Sequence, residues 1–135
     1  MERIKALFEK DQFAKLSGIE LVAVSAGKAT ARMVLNAHHW NGLGTVHGGA
    51  IFTLADFAFA AASNSHGTLA VAINANISFT KAASTGELRA EAREIARNFK
   101  LGTYTVEVTD QDGQLIALFQ GMAYRKKESV GDVVE

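Results

Sequence analysis

Two stretches of the chain carry apolar residues at helical spacing. Between Glu2 and Leu16 the apolar positions recur every three or four residues, which predicts an amphipathic N-terminal helix over residues 1–17. The second stretch, from Ala50 to Ala62, is apolar nearly all round and contains six alanines. A helix apolar on every side is normally a buried one. We therefore expect a long central helix that other elements approach closely.

Six further stretches are predicted to be strands, most of them because apolar and polar residues alternate along them. In chain order they cover residues 19–24, 28–35, 69–79, 88–93, 103–109 and 115–124. The alternation reverses at Glu94 and Ile95, which predicts a bulge or a sharp bend in the fourth strand. Asp112-Gly113 is a strong hairpin signal between the last two strands.

The predicted order of elements is therefore one helix, two strands, the long helix and four strands. Because hairpin-length connections make neighbouring strands antiparallel, the strands should form one curved antiparallel sheet wrapped around the long helix. That arrangement is an α+β fold. The tail from residue 126 onward is charged, has little apolar content and is predicted to fray. We expect a single domain over residues 1–135.

The composition fits this fold and excludes several classes of partner. The chain has 135 residues, of which 48% are hydrophobic, enough to bury one core. Basic and acidic residues total 14 each, so the net charge is zero and no nucleic acid partner is expected. The longest apolar stretch has 13 residues, against the roughly 20 that cross a bilayer, so no membrane partner is expected.

Cysteine and histidine narrow the chemistry further. Cysteine is absent, which excludes disulfides, thiolate metal sites and a cysteine nucleophile. The first ten residues do not read as a secretory signal, so we expect a cytoplasmic protein. No metal is predicted, because adjacent His38 and His39 would point to opposite faces of a strand and no carboxylate pattern completes a ligand set.

One carboxylate, Asp56, interrupts the apolar helix. Burying an unpaired carboxylate is costly, so Asp56 is either a structural acid bonded to a neighbouring hydroxyl or amide, or a functional one. Gly48 and Gly49 lie where this helix should begin. Unpaired amides and a partial positive charge at a helix start suit an oxyanion or a polarised carbonyl. The two glycines could also serve only as a tight turn.

The spacing between these features has a geometric consequence. Asp56 follows Gly48 by eight residues, which is about 12 Å along a helix. One acyl group cannot easily contact both groups on the same helix. Two such helices, antiparallel about a two-fold axis, would bring Asp56 of one subunit close to Gly48 of the other. We therefore predict a homodimer with shared sites.

The motif itself is similar to that of a known family. Asn41, His47-Gly48-Gly49 and Asp56, with "FTLAD" before the acid and "ASNSHG" closing the helix, resemble the hotdog-fold acyl-CoA thioesterases. The chain looks most like the phenylacetate-pathway (PaaI-type) members, and the likeness extends over nearly its whole length. The resemblance implies a hotdog fold, a homotetramer and hydrolysis of small, possibly aryl-acetyl, CoA thioesters. Coenzyme A is then part of the substrate, and no separate cofactor is expected.

The resemblance also implies a role for each motif residue. Asp56 would act as a general base on water or as a nucleophile on the thioester carbonyl. The Gly48 amide would stabilise the oxyanion, and Gly49 would let the substrate approach the backbone. Asn41 would orient the water or the thioester. His47 matches a residue that shapes the loop or contacts the carbonyl rather than the base.

The sequence departs from the family pattern after the long helix. Relatives often have a proline in the turn after the third strand, whereas this turn reads "FTKAAS" and the chain contains no proline. Some relatives place a hydroxyl early on that strand to assist the water, but here the stretch reads Val71-Ala72-Ile73. Asn76 or Ser78 would have to supply that polar group.

Coenzyme A carries phosphates, which surface cations near the site should bind. Lys81, Arg97 and Lys100 lie at predicted strand ends and are the candidates. Each could equally be a solvated surface residue.

Two other functions use the same fold or the same ligand. One is hydration or dehydration of acyl thioesters, in which an active-site histidine is paired with an acid. The other is a non-catalytic acyl-CoA binding module. A serine-triad hydrolase is not supported, because the chain has no Gly-x-Ser-x-Gly elbow.

Overall fold

The protein, as a computed structural model, is described over residues 1–134. The helices and strands follow the predicted order, with one extra short helix at each end and a 3-10 turn before the long helix. In chain order the elements are α1 (Glu2–Phe8), α2 (Gln12–Leu16), β1 (Ile19–Ser25), β2 (Lys28–Val34), a 3-10 turn (Ala37–His39), α3 (Gly48–Asn64), β3 (Thr68–Phe79), β4 (Glu87–Arg97), β5 (Leu101–Thr109), β6 (Leu115–Ser129) and α4 (Gly131–Val134).

The six strands form one sheet in which every neighbouring pair is antiparallel. Their spatial order is β1-β2-β4-β5-β6-β3, and α3 contacts all six strands. The predicted sheet wrapped around a central helix is therefore confirmed. β3 does not pair with β4, the next strand along the chain, but with β6. Local alternation marks a strand but does not choose between two distant partners.

The sheet approaches α3 closely because small residues face it. The ring of Phe59, buried on α3, lies 5.6 Å from the rings of both Tyr104 and Phe119. A Cβ atom on Gly121 of β6 would lie 2.8 Å from Cε1 of Phe59. Only glycine leaves room for the phenylalanine at this point of the sheet.

The N-terminal segment consists of two short helices rather than the single helix predicted over residues 1–17. Asp11 separates them, because its Oδ1 accepts a hydrogen bond from the Ala14 amide at 2.9 Å and so starts a new helix. The ring of Phe8 packs edge-on against Phe57 of α3 at 5.4 Å. This contact and the burial of Ala14 hold both helices on the side of the domain.

The C-terminal segment has regular structure where a frayed tail was predicted from residue 126 onward, since β6 and α4 together reach Val134; Glu135 lies outside the described residues. β6 continues to Ser129, which pairs with Thr68 of β3. The Val130 amide then donates to the Gly67 carbonyl at 2.8 Å, and its side chain is buried. Backbone pairing holds this charged strand extension, and such pairing requires no apolar side chains.

The predicted irregularity in the fourth strand is confirmed, since the pairing of β4 with β5 shifts between Glu94 and Ala96. On β3, Asn76 pairs with Gln120 of β6. Because Gln120 alternates with the inward-facing Gly121, Asn76 points to the outer face of the sheet, away from α3.

Candidate active site

The start of α3 is capped by His47, the residue just before the helix. The Nδ1 atom of His47 accepts a hydrogen bond from the Gly49 amide at 2.8 Å. The His47 carbonyl accepts from the amides of Ala50 at 2.9 Å and Ile51 at 3.3 Å. Of the first four amides of the helix, only that of Gly48 therefore has no acceptor within residues 1–134. This free donor points out of the positive end of the helix dipole.

A cavity of about 420 Å³ lies beside Gly48, next to β3. A Cβ atom at Gly48 would lie 3.1 Å from Cζ of Phe79, so glycine leaves room for this aromatic ring beside the start of α3. Lys81 lines the same cavity. Of the three predicted phosphate-binding cations, Lys81 is the one that lies beside the helix start.

His47 is neutral in the geometry that the structure shows. Its Nδ1 atom accepts a hydrogen bond, so the ring proton is assigned to Nε2. A nitrogen that already accepts the Gly49 amide cannot also remove a proton from water. The placement fits the expected loop-shaping residue better than a base.

Asn41 organises the loop that leads to His47. Its Oδ1 accepts from the amides of Leu43 at 2.9 Å and Thr45 at 3.2 Å, and its Nδ2 donates to Thr45 Oγ1 at 3.0 Å. The second Nδ2 hydrogen has no acceptor in the part of the chain that the structure describes. Asn41 can therefore shape the loop and still donate to a water or a substrate.

Asp56 lies two turns further along α3 and is half-buried. Across the described residues its carboxylate makes neither a hydrogen bond nor an ion pair, which excludes a structural acid bonded to a hydroxyl or amide of the same subunit. Burial raises the pKa of Asp56, and the negative charge of Asp11 raises it further. A raised pKa makes this carboxylate a stronger base than an exposed aspartate.

An apolar groove of about 870 Å³ lies on the other side of the helix start. It is lined by Phe13, Trp40, His47, Gly49, Phe52 and Thr53. The indole Nε1 of Trp40 donates to the Ser84 carbonyl at 2.8 Å, which fixes the ring at the groove wall. Phe57 and Phe59, by contrast, are buried in the core.

The chain matches the family model described as "Thioesterase superfamily" over residues 43–117. It is 43% identical over 130 residues to a "Putative esterase" of Archaeoglobus fulgidus, covering 95% of this chain and 84% of that protein. It is 37% identical over 121 residues to "Acyl-coenzyme A thioesterase PaaI" of Escherichia coli, covering 89% and 86% of the two chains. The structure of the PaaI protein of the E. coli phenylacetic acid degradation operon superposes with a TM-score of 0.91 at 35% identity, covering 95% and 94%.

The chain belongs to the thioesterase superfamily.

The predicted enzyme class, a thioester hydrolase, and the predicted hotdog fold are therefore both confirmed. The match includes Gly48, Gly49 and Asp56, whereas Asn41 lies just before its first residue.

Two pairs of predicted residues lie away from the helix start of this thioesterase. Asn76 and Ser78 are on the outer face of β3, opposite α3. Arg97 and Lys100 flank the turn between β4 and β5, and Arg97 Nε is 3.4 Å from Glu94 Oε1. Glu94 in turn bonds His66, just beyond the C-terminal end of α3. Within one subunit none of the four lines the cavity beside the Gly48 amide.

Three aromatic residues of the groove, Phe13, Trp40 and Phe52, are not among the site residues predicted from the sequence. Phe13 is 64% exposed on α2. Because this exposure is decided by the tertiary structure, the apolar pattern of the segment carries no signal for it.

No three histidine, aspartate or glutamate side chains among residues 1–134 could hold a metal ion together. No helix of that range is long and apolar enough to cross a membrane.

Proposed function

We propose that this thioesterase hydrolyses small acyl-CoA thioesters, with aryl-acetyl thioesters as the first choice, at sites shared between two subunits. One observation carries the proposal: α3 holds one amide without an acceptor, at Gly48, and one carboxylate without a partner, at Asp56. Hydrolysis of a thioester needs a donor to the oxyanion and a base or nucleophile. The acyl-CoA substrate is supported by the E. coli relative, which is named an acyl-coenzyme A thioesterase.

The two groups divide the reaction between them. The Gly48 amide donates to the carbonyl oxygen, where negative charge develops. In the base mechanism, water adds to the carbonyl carbon as its proton moves to Asp56. The tetrahedral intermediate then expels the CoA thiolate, which takes the proton from Asp56, and the free acid is released. In the nucleophile mechanism, the Asp56 carboxylate attacks the carbonyl carbon, expels the thiolate, and water hydrolyses the resulting anhydride.

Shared sites require a dimer, and β3 offers the surface for one. This 12-residue strand lies at the edge of the sheet and pairs only with β6 among the described strands. Ile73 and Phe79 on it are 55% and 53% exposed. A long apolar edge is a template for pairing with another strand. Antiparallel pairing of two β3 strands about a two-fold axis would also make the two α3 helices antiparallel.

The groups that contact coenzyme A are proposed from their positions. Lys81, in the cavity beside Gly48, is the first candidate for a CoA phosphate. Asn76, Ser78, Arg97 and Lys100 stay predictions, as do the homotetramer and the cytoplasmic location.

The decisive experiment is free-thiol release from a panel of acyl-CoA thioesters. Wild type should show one preferred acyl class. Asp56→Asn should lower kcat/KM by about 100-fold or more, because the base or nucleophile is lost. Light scattering would confirm that the variant has the same oligomeric mass.

A wild type that releases no thiol from any thioester would sink the proposal. Hydration of crotonyl-CoA would then favour the hydratase alternative, and tight CoA binding without turnover would favour a binding module. The hydratase has less support, because the Nδ1 atom of His47 is already engaged by Gly49.

A further inference from the structure

One buried polar side chain lies outside the residues so far assigned a role. His39, 6% exposed, ends the 3-10 turn after β2. Its Nε2 lies 2.7 Å from the Ser17 carbonyl, and its Nδ1 accepts from the Asn36 amide at 3.1 Å. Only the neutral tautomer with its proton on Nε2 satisfies both bonds. With both ring nitrogens engaged, His39 cannot serve as a base.

The backbone of the same residue connects it to the candidate active site. The His39 carbonyl accepts a hydrogen bond from the His47 amide at 2.7 Å. Trp40 and Val46 pair as an isolated antiparallel bridge beside this bond. The loop between them is thereby closed at its base, and His39 lies directly behind the residue that caps α3.

We propose that His39 is a positioning residue for the Gly48 amide, a role that rests on the proposed function. Its imidazole joins the end of α2, through Ser17, to the end of β2, through Asn36. This fixes the direction of the His39 carbonyl, which in turn holds His47 in the cap position.

Loss of the His39 imidazole should affect catalysis, because the donor to an oxyanion must be placed precisely. Removing the imidazole leaves the Ser17 carbonyl and the Asn36 amide without their partners and frees the turn to rotate. The His39 carbonyl then no longer points at the His47 amide, and the orientation of the adjacent Gly48 amide changes. A misplacement of about 1 Å in a reacting group can lower a rate by about 100-fold.

The other buried polar residues do not share this position. Ser63, Asn64 and Ser65 lie at the C-terminal end of α3. Asn64 bonds the backbone of Ala70 there, and Ser65 accepts from the Gly27 amide. These bonds hold the end of the helix that is remote from Gly48, so a change there should alter stability and not the oxyanion donor.

The test compares His39→Ala, His39→Gln and Val130→Ala in the full-length protein with the preferred thioester. Glutamine offers an acceptor and a donor on one group, so it can replace both bonds of the imidazole. Val130 is buried far from the helix start and serves as the control for lost stability. Each variant is measured for kcat, KM and thermal midpoint. The Gly48 amide is followed in a proton–nitrogen correlation spectrum, which does not depend on activity.

We expect His39→Ala to lower kcat by about 10-fold or more with KM within about twofold, because an oxyanion donor acts mainly in the transition state. His39→Gln should recover most of that loss, and the Gly48 amide signal should move in His39→Ala alone. Val130→Ala should lower the thermal midpoint and retain kcat.

The inference is wrong if His39→Ala keeps its kcat and its Gly48 signal, or if Val130→Ala loses as much activity at an equal loss of stability. An inactive wild type would instead refute the proposed function, and the Gly48 signal would still decide whether His39 positions that amide.

Discussion

At the scale of single residues, the two groups proposed for catalysis are the Gly48 amide and the Asp56 carboxylate, and neither has a bonded partner among the described residues. Every other early amide of α3 is capped, and Gly48 alone is free within the described residues. Asp56 has no bonded partner there, and burial followed by the charge of Asp11 raises its pKa. Both groups are only partly buried within one subunit, so each remains accessible for a hydrogen bond to the proposed substrate.

The raised pKa of Asp56 predicts a pH dependence. The proposed mechanism requires the ionised carboxylate, so the acidic limb of the pH profile of kcat/KM should lie above the usual range of an aspartate. Asp11→Asn removes the second cause of the shift and keeps an oxygen to cap α2, so the pKa of Asp56 falls and the limb moves to lower pH. The measurement is a pH profile of thiol release.

Asp112→Asn is the matched control, since Asp112 is exposed in the turn before β6. It should leave the limb in place. An acidic limb that does not move in Asp11→Asn would show that the Asp11 charge does not act on the catalytic group.

At the scale of elements, the contact between α3 and β6 depends on one small residue. Gly121 lies under Phe59, and an added Cβ would meet the ring at 2.8 Å. Gly121→Ala should therefore lower the free energy of unfolding by about 1–3 kcal/mol, because the packed ring has to move. Chemical denaturation measures the change.

Gly42→Ala makes the same substitution where an added Cβ would meet nothing within 4 Å. Its effect should stay within about 0.5 kcal/mol. Equal stabilities of the two variants would contradict the account of how the sheet approaches the helix.

At the scale of the whole molecule, β3 is one of the two edge strands of the sheet, the other being β1. Among the described residues β3 pairs on one side only, and Ile73 is 55% exposed where the register of β3 with β6 shifts. Ile73→Lys should produce a monomer, because a charged residue on an edge strand opposes pairing with another chain. Since the proposed sites are shared, thiol release should be lost with the dimer. Light scattering and the thioester assay measure the two effects.

Ile95→Lys is the matched control, with the same substitution at 50% exposure on β4, an interior strand. It should keep the mass and the activity of wild type. An Ile73→Lys variant that remains both dimeric and active would rule out pairing through β3.

The sequence by itself determined the kind of element at most positions. Alternation predicted the strands, the apolar run predicted α3, and the reversal at Glu94 predicted the irregularity in β4. The motif from Asn41 to Asp56 indicated the family that the comparisons show. These features are local or depend on short spacings, so a linear reading is sufficient for them.

Only the tertiary structure decided which distant segments meet. It placed β3 against β6, divided the N-terminal helix at Asp11, and ordered the tail as far as residue 134. It also placed His39 between Ser17 and Asn36, and left the Gly48 amide free. The physical reason is common to these cases: the deciding interactions are mostly hydrogen bonds of single backbone groups. Such bonds leave little trace in the pattern of apolar and polar side chains.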